Sequence, residues 1–320
     1  MTITVIGHIC LDCFDQPDGS VKQNYGGIFF TLAALANLLG EDDTIYPVFG
    51  IGKNDYDALI ERLKQYPNVD TSGIFKFSGP TNQVRLVYST PEQRVERSEF
   101  ISEPIPWKKI KPYLETEMVL INMISGFDIT LETLDEIRME VRENHTPVYM
   151  DVHSLTLGIN EDFTRFHRAI VDWRRWFFMI HAVQMNEEES KIITKEHTDE
   201  MMLAKHVLAL NTNAMTITRG ERGCTAFIDN HKHVERHDVA GIPVATTVDS
   251  TGCGDVFAAA YCAKYLKTED IRASVEYANS VASMKAGMFS SVEIDRLSAM
   301  RLNGNGKNRE SKKITNSQPA

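Results

Sequence analysis

Apolar positions along this chain switch repeatedly between the spacing of strands, every second residue, and the spacing of helices, every third or fourth. From residue 118 onward the switching is regular. Strand-like runs at 118–124, 148–153, 177–185 and 214–218 are separated by helical runs at 131–144, 163–173 and 198–208. A Gly220/Gly223 turn then leads into two more strand-like runs, 225–228 and 233–239, and helices are predicted at 256–266 and 271–287. Strands parted by helices of this length belong to parallel βαβ units. The first part of the chain follows the same rule. It has a strand at 2–9, a helix with little polar surface at 28–39 that closes on Gly40, a strand at 43–50 and an amphipathic helix at 56–66.

Residues 74–100 depart from that rhythm, with β-forming alternation at Val84, Leu86 and Tyr88, turns at Gly79-Pro80 and Pro91-Glu92, and no helical period. They predict two or three strands outside the α/β pattern. Together with residues 10–25 they form a small lid over the sheet edge, and exposed strands that cap a site often pair with a second copy, which points to a homodimer joined through the lid. The polar, apolar-poor stretch 303–320 reads as a disordered tail, leaving 1–302 as a single domain.

With 320 residues, 42% of them hydrophobic, the chain can bury a substantial core. A formal net charge of −10 argues against a nucleic-acid partner, which would need a basic face, and points to a small-molecule ligand. The start of the chain has neither a basic region nor a long apolar segment, and no stretch reaches the length of a membrane span. Five scattered cysteines do not form a secreted disulfide framework, so the expected place is the cytoplasm. Cys10 and Cys13 make a C-x-x-C with no second pair at zinc spacing, which we read as coincidence.

The chemistry gathers at 248–261, where a β-like run breaks on Gly252 and Gly254 and re-forms as an apolar helix. Glycines there let the backbone approach a ligand, and a helix start offers unpaired amides and a positive dipole end, the makings of an anion site. Asp255 stands in or beside the first turn, placed to take a proton from a hydroxyl. Asp12 is expected just past the carboxyl end of the first strand, the edge where open α/β sheets bind ligands, although a turn aspartate there is equally ordinary.

The run Val248-Asp249-Ser250-Thr251-Gly252-Cys253-Gly254-Asp255-Val256-Phe257 closely resembles the second signature of the ribokinase-like (PfkB) carbohydrate kinases, D-T-x-G-A-G-D-x-F. Gly26-Gly27, before a helix ending Leu38-Leu39-Gly40, resembles the first signature. Met185-Asn186-Glu187-Glu188-Glu189 resembles the N-x-x-E element, Thr218-Arg219-Gly220-Glu221-Arg222-Gly223 the T-x-G-x-x-G nucleotide turn, and Ala278-Asn279-Ser280-Val281-Ala282 the helix flanking the purine. The likeness runs over about 2–290, with its elements in order. It implies a three-layer αβα fold with a mostly parallel central sheet.

It also implies ATP and Mg²⁺ as cofactors and phosphorylation of a hydroxyl on a sugar or sugar-like molecule. Asp255 is then the general base, with the amides of Gly252, Cys253 and Gly254 around the transferred group. Asp12, Gly26 and Gly27 hold the acceptor. Asn186, Thr218, Gly220, Gly223 and Asn279 serve the nucleotide, and Glu189 helps hold the hydrated metal, where residues 187–189 would otherwise be a solvated helix start. One position departs from the family pattern: Phe30 stands where an Asn commonly contacts the sugar. A ring cannot bond a hydroxyl, so a nucleoside or hydroxymethyl-heterocycle acceptor stacked on Phe30, and a catalytically silent binding protein, stay open as alternatives. Neither a G-x-x-x-x-G-K-[ST] loop, protein-kinase elements nor a G-x-G-x-x-G dinucleotide turn occurs.

Overall fold

The computed structural model describes residues 1–15, 21–90, 93–196, 199–231, 233–244 and 247–302; the 303–320 tail and most of the 15–19 turn lie outside these. Fifteen strands occur among the described residues: β1 (Thr2–Ile6), β2 (Ile9–Asp15), β3 (Val21–Gly27), β4 (Thr44–Gly52), β5 (Ile74–Phe77), β6 (Asn82–Thr90), β7 (Gln93–Glu99), β8 (Met118–Asn122), β9 (Val148–Asp151), β10 (Leu157–Ile159), β11 (Arg165–His167), β12 (Ala182–Asn186), β13 (Ala214–Thr218), β14 (Gly223–Asp229) and β15 (Val234–Ala240). Nine α-helices accompany them: α1 (Ile28–Leu38), α2 (Tyr56–Leu63), α3 (Trp107–Ile110), α4 (Leu131–Arg142), α5 (Trp173–Phe177), α6 (Glu187–Ile192), α7 (Glu200–Leu208), α8 (Cys253–Thr268) and α9 (Ile271–Ala286).

The central sheet has the order β15-β14-β13-β12-β9-β8-β1-β4-β5 and is parallel from β13 to β5, with β14 and β15 added antiparallel at one edge. Its inner strands are apolar without alternation, as Met118-Val119-Leu120-Ile121 shows, because helices cover the sheet and both faces are buried. α8 packs on both α1 and α9 and lies across β8 and β9, and α7 lies over β13 and β14. This is the expected αβα architecture.

The chain runs from β1 outward to β4 and β5, then returns to place β8 on the other side of β1. Such a reversal opens a crevice at the carboxyl ends of the two strands, the place where sheets of this kind take their ligands. Gly7, just past β1, sits there so close to the Asn122 carbonyl that a Cβ would overlap it. The lid is a separate sheet of order β3-β2-β6-β7.

Three expectations need correction. The predicted first strand is two, broken at Gly7-His8, so Asp12 lies inside lid strand β2 instead of beyond a central strand. Of the residues assigned to the lid, 74–77 form β5 and extend the central sheet beside β4. No helix spans 163–173: β10 and β11 make a small hairpin there, followed by α5. The i, i+3 spacing of Phe163, Phe166 and Ile170 mimics a helix, but Phe163 has φ 66°, the Phe166 ring lies over Gly158, and Ser98 of β7 donates its amide to the Phe163 carbonyl. Tertiary contacts override the local pattern.

Candidate active site

Gly252 caps α8 with φ 78°, and a Cβ added there would run into the Phe30 ring. The αL conformation and the close ring both call for glycine. Three residues on, Asp255 occupies the first turn of α8, and its Oδ1 accepts a 2.6 Å hydrogen bond from Asn122 Nδ2. Asn122 ends β8 and also donates to Thr31 Oγ1 at 2.9 Å, so the carboxylate is fixed to the crevice between β1 and β8. Burial raises the Asp255 pKa; His153, the Asn122 hydrogen bond and Lys285 pull against that rise. The turn behind it is tied to the sheet. Gln184 Nε2 donates to the Gly254 carbonyl and to Asp151 Oδ2, both at 3.0 Å, and Tyr149 donates its hydroxyl to Gln184 Oε1 at 2.7 Å. Burial holds Asp151 well above the usual carboxylate range, and His153 pulls against that rise.

The amide of Cys253 donates to the Ser250 carbonyl at 3.2 Å, closing the turn, so of the three predicted anion donors it is already engaged. Burial pushes the Cys253 thiol up to about 11, far from a thiolate at neutral pH. Cys10 and Cys13 are free thiols too, buried within β2.

Asp12 is buried, and Gly26 of β3 sits so close that a side chain on it would overlap the carboxylate. Gly27 has φ 59° and caps α1. Burial raises Asp12 to about 7; the Cys10 thiol donates to Oδ1 at 3.5 Å and opposes the rise, while Glu96, Asp255 and Asp249 add to it. Asp12 Oδ2 and Asn122 Oδ1 are buried without a hydrogen-bond partner among the described residues. Phe30, expected on the acceptor side, is 1% exposed, with its ring against Gly252.

A groove of about 530 Å³ opens on the other side of the α8 turn. Thr218, Gly220, Gly223, Cys253, Gly254 and Asn279, all predicted from sequence, line it together with the apolar Ile242, Pro243, Val244 and Phe257. Gly220 (φ 57°) has open space where a Cβ would project, whereas a side chain on Gly223 (φ 90°) would overlap the Val239 carbonyl of β15. Asn279, buried in α9, donates to the Ala240 carbonyl at 3.0 Å and so fixes the end of β15 beside the groove. A larger hollow of about 950 Å³ lies at the opposite ends of the strands, and no predicted site residue lines it.

Asn186 and Glu189 stand apart from the groove lining. They form a reciprocal cap on α6: Asn186 Oδ1 accepts the Glu189 amide at 2.8 Å and Glu189 Oε2 accepts the Asn186 amide at 2.7 Å. The other carboxylate oxygen, Oε1, lies 3.5 Å from His153 Nδ1. Desolvation lowers the His153 pKa, but Glu189, with Asp255 and Asp151 behind it, raises it above the ordinary imidazole range. Among the described residues no three His, Cys, Asp or Glu side chains gather as a metal would require.

A family model for pfkB carbohydrate kinases matches residues 128–293. The chain belongs to the pfkB family of carbohydrate kinases. It is therefore a kinase, a phosphotransferase with an alcohol group as acceptor. Among curated proteins, this pfkB kinase is 22% identical over 308 residues to a cytidine kinase of Thermococcus kodakarensis, covering 88% of this chain and 96% of that one. Among solved structures it resembles an Arabidopsis thaliana ribokinase complexed with ribose and ATP (17% identity, TM-score 0.71, 93% and 97% of the two chains). It also resembles a pyrophosphate-dependent myo-inositol-1 kinase converted by mutation into a myo-inositol-3 kinase (16% identity, TM-score 0.73, 93% and 98%). At these identities the structural likenesses show the fold.

The sequence reading missed Asn122, Asp151, His153, Gln184 and Lys285. For Asn122, Asp151 and His153 a signal exists: each is a polar residue at or just beyond the carboxyl end of an apolar strand.

Proposed function

We propose that this pfkB kinase transfers the γ-phosphoryl group of ATP to a hydroxyl of a sugar or sugar-like molecule. The observation that carries the reading is the Asp255 carboxylate, held by Asn122 at the head of α8, beside the Cys253-Gly254 turn that lines the groove. The acceptor hydroxyl gives its proton to Asp255 while its oxygen bonds to the γ-phosphorus and the bond to ADP breaks. First-turn amides of α8, those of Gly252 and Gly254 among them, face the charge that develops. Asp12 Oδ2 and Asn122 Oδ1, buried acceptors without partners, call for donors such as the O–H groups of a polyol. The apolar wall of Ile242, Pro243 and Phe257 suits a purine, and Thr218, Gly220 and Gly223 its phosphates. Mg²⁺ carried on the donor phosphates would neutralise their charge; both Glu189 oxygens are engaged within the chain, so Glu189 would help hold the ion through its bound waters. Five free thiols accord with the cytoplasm.

A nucleoside acceptor is the second reading, favoured by the likeness to a cytidine kinase along 96% of that protein. Measuring ADP or phosphate release with ATP and with pyrophosphate, against a panel of sugars, polyols and nucleosides, decides among them; ligand-dependent thermal shifts with no release would instead mean a silent binding protein. Asp255→Asn is expected to lower kcat by about 10²–10⁴ while ATP binding and the melting temperature hold. Wild-type turnover by the folded Asn variant would remove Asp255 from the role of base.

A further inference from the structure

Lys285, near the end of α9, is 0% exposed, and among the described residues no carboxylate lies within ion-pair distance of it. Its Nζ faces two backbone carbonyls, Asp249 at 3.4 Å and Met288 at 3.5 Å, and lies 5.5 Å from the centre of the Phe30 ring. Burying an ammonium this way is costly unless its charge is used. Everything it touches belongs to the support of the glycine turn. Phe30 is the ring that Gly252 rests on. Asp249 begins the approach to the turn, with its carboxylate accepting the Thr251 amide at 2.9 Å and the Ser290 amide at 3.0 Å, while the amides of Val248 and Asp249 donate to the Ala286 carbonyl at 2.8 and 3.3 Å. Segments 248–252 and 285–290 are thus stitched together around the lysine.

We propose that Lys285 is a positioning residue for phosphoryl transfer, a built-in cation that holds the glycine turn at the head of α8 in its receptive shape and sets a fixed positive charge behind it. The inference rests on the reading of that turn as the place where the phosphoryl group passes. Carbonyl oxygens drawn to the ammonium orient the peptide planes leading into Gly252, while the cation contact with Phe30 seats the ring beneath it. The charge also reaches forward: it lowers the pKa values of Asp255 and Cys253 against their burial. Positive charge behind a site that gathers phosphate oxygens favours the transition state more than the resting site.

Lys285→Met separates this role from a merely structural one. Replacing a buried charge by an apolar chain of similar length is neutral or stabilising when the charge only fills space. A structural lysine therefore predicts an unchanged or raised melting temperature with normal turnover. A positioning lysine predicts the same stability with kcat down by about a hundredfold, the scale on which a misplaced reacting group costs rate, and acceptor KM within about twofold. Lys285→Ala, which leaves room for a small cation, should regain part of its kcat in methylammonium, while Lys285→Met should not. If Lys285→Met does not fold, Lys285→Leu, which likewise removes the cation and the donor, takes its place under the same thresholds. Turnover within about twofold of wild type in either folded variant overturns the proposal. Asp255→Asn, assayed in parallel, keeps the two readings apart: an active Asn variant defeats the site assignment, and an inactive one beside a normal Lys285→Met defeats only the role of the lysine.

Discussion

Asp12 is the residue whose environment makes the sharpest demand. Its folded pKa of about 7 lies above the ordinary 3.8, with burial as the main cause. Between those values the unfolded chain has released the proton that the folded chain keeps, so stability falls as pH rises from about 4 to 7 and is level beyond, a total of about 4 kcal/mol as an upper figure. Asp12→Asn is therefore expected to be more stable than wild type at pH 8 and close to it at pH 4, as denaturant midpoints would show. Binding runs the other way. A carboxylate accepts from a hydroxyl better than the neutral acid, so acceptor KM should fall as pH rises through about 7, and the Asn variant should lose that dependence along with affinity. A KM flat across pH 6–8 in wild type would mean that Asp12 does not touch the acceptor. In sequence, Asp12 was singled out by its place after the first apolar run and Asp255 by the glycines of its turn. Asn122 and Lys285 were not, since their roles come from partners at Asp255 and Asp249, 133 and 36 residues away in the chain.

Among the elements, the β14–β15 hairpin has the clearest division between what it builds and what it contacts. It adds two antiparallel strands to a parallel sheet and forms one bank of the groove through Gly220 and Gly223. Gly223→Ala places a Cβ at φ 90° against the Val239 carbonyl, which costs about 1–3 kcal/mol and splays the pair. The donor KM should rise while the acceptor KM holds; equal rises in both would mean that the groove is not the donor site. Elements whose own residues bury a full stripe, such as α1 and α9, were read from sequence within one residue at each end. The failures were β10 and β11, too short to show a period and fixed by contacts from Ser98 and Arg165, and the break at Gly7-His8, where the chain leaves one sheet for another. Spacing along the chain reports burial, and it does not report which sheet does the burying.

At the scale of the molecule, the residues proposed for the acceptor and those proposed for the donor belong to different bodies of structure. Asp12 and Gly26 hang on the lid sheet, whereas Asp255, the glycine turn and the groove are set into the central sheet and its helices. Amide exchange should report this: a saturating acceptor is expected to slow exchange in β2, β3, β6 and β7 and leave β13 and β14 unchanged, while a non-hydrolysable ATP analogue does the reverse. Protection of both regions by either ligand alone would contradict the division. Among the described residues the lid edge strand β3 pairs only with β2, so a homodimer joined through the lid is expected to lose mass in light scattering when a proline is placed in β3.

The Gln184 strap from Tyr149 and Asp151 to the Gly254 carbonyl gives that division a further meaning. A turn anchored from behind by the sheet does not shift when the cover in front of it is rebuilt. On the proposed division of roles, selection can change what is phosphorylated by altering β2, β3, β6 and β7 and leave how it is phosphorylated untouched. The same seam is where an engineer would cut: on that division, grafting another lid onto this base carries over a new choice of alcohol and inherits the transfer chemistry.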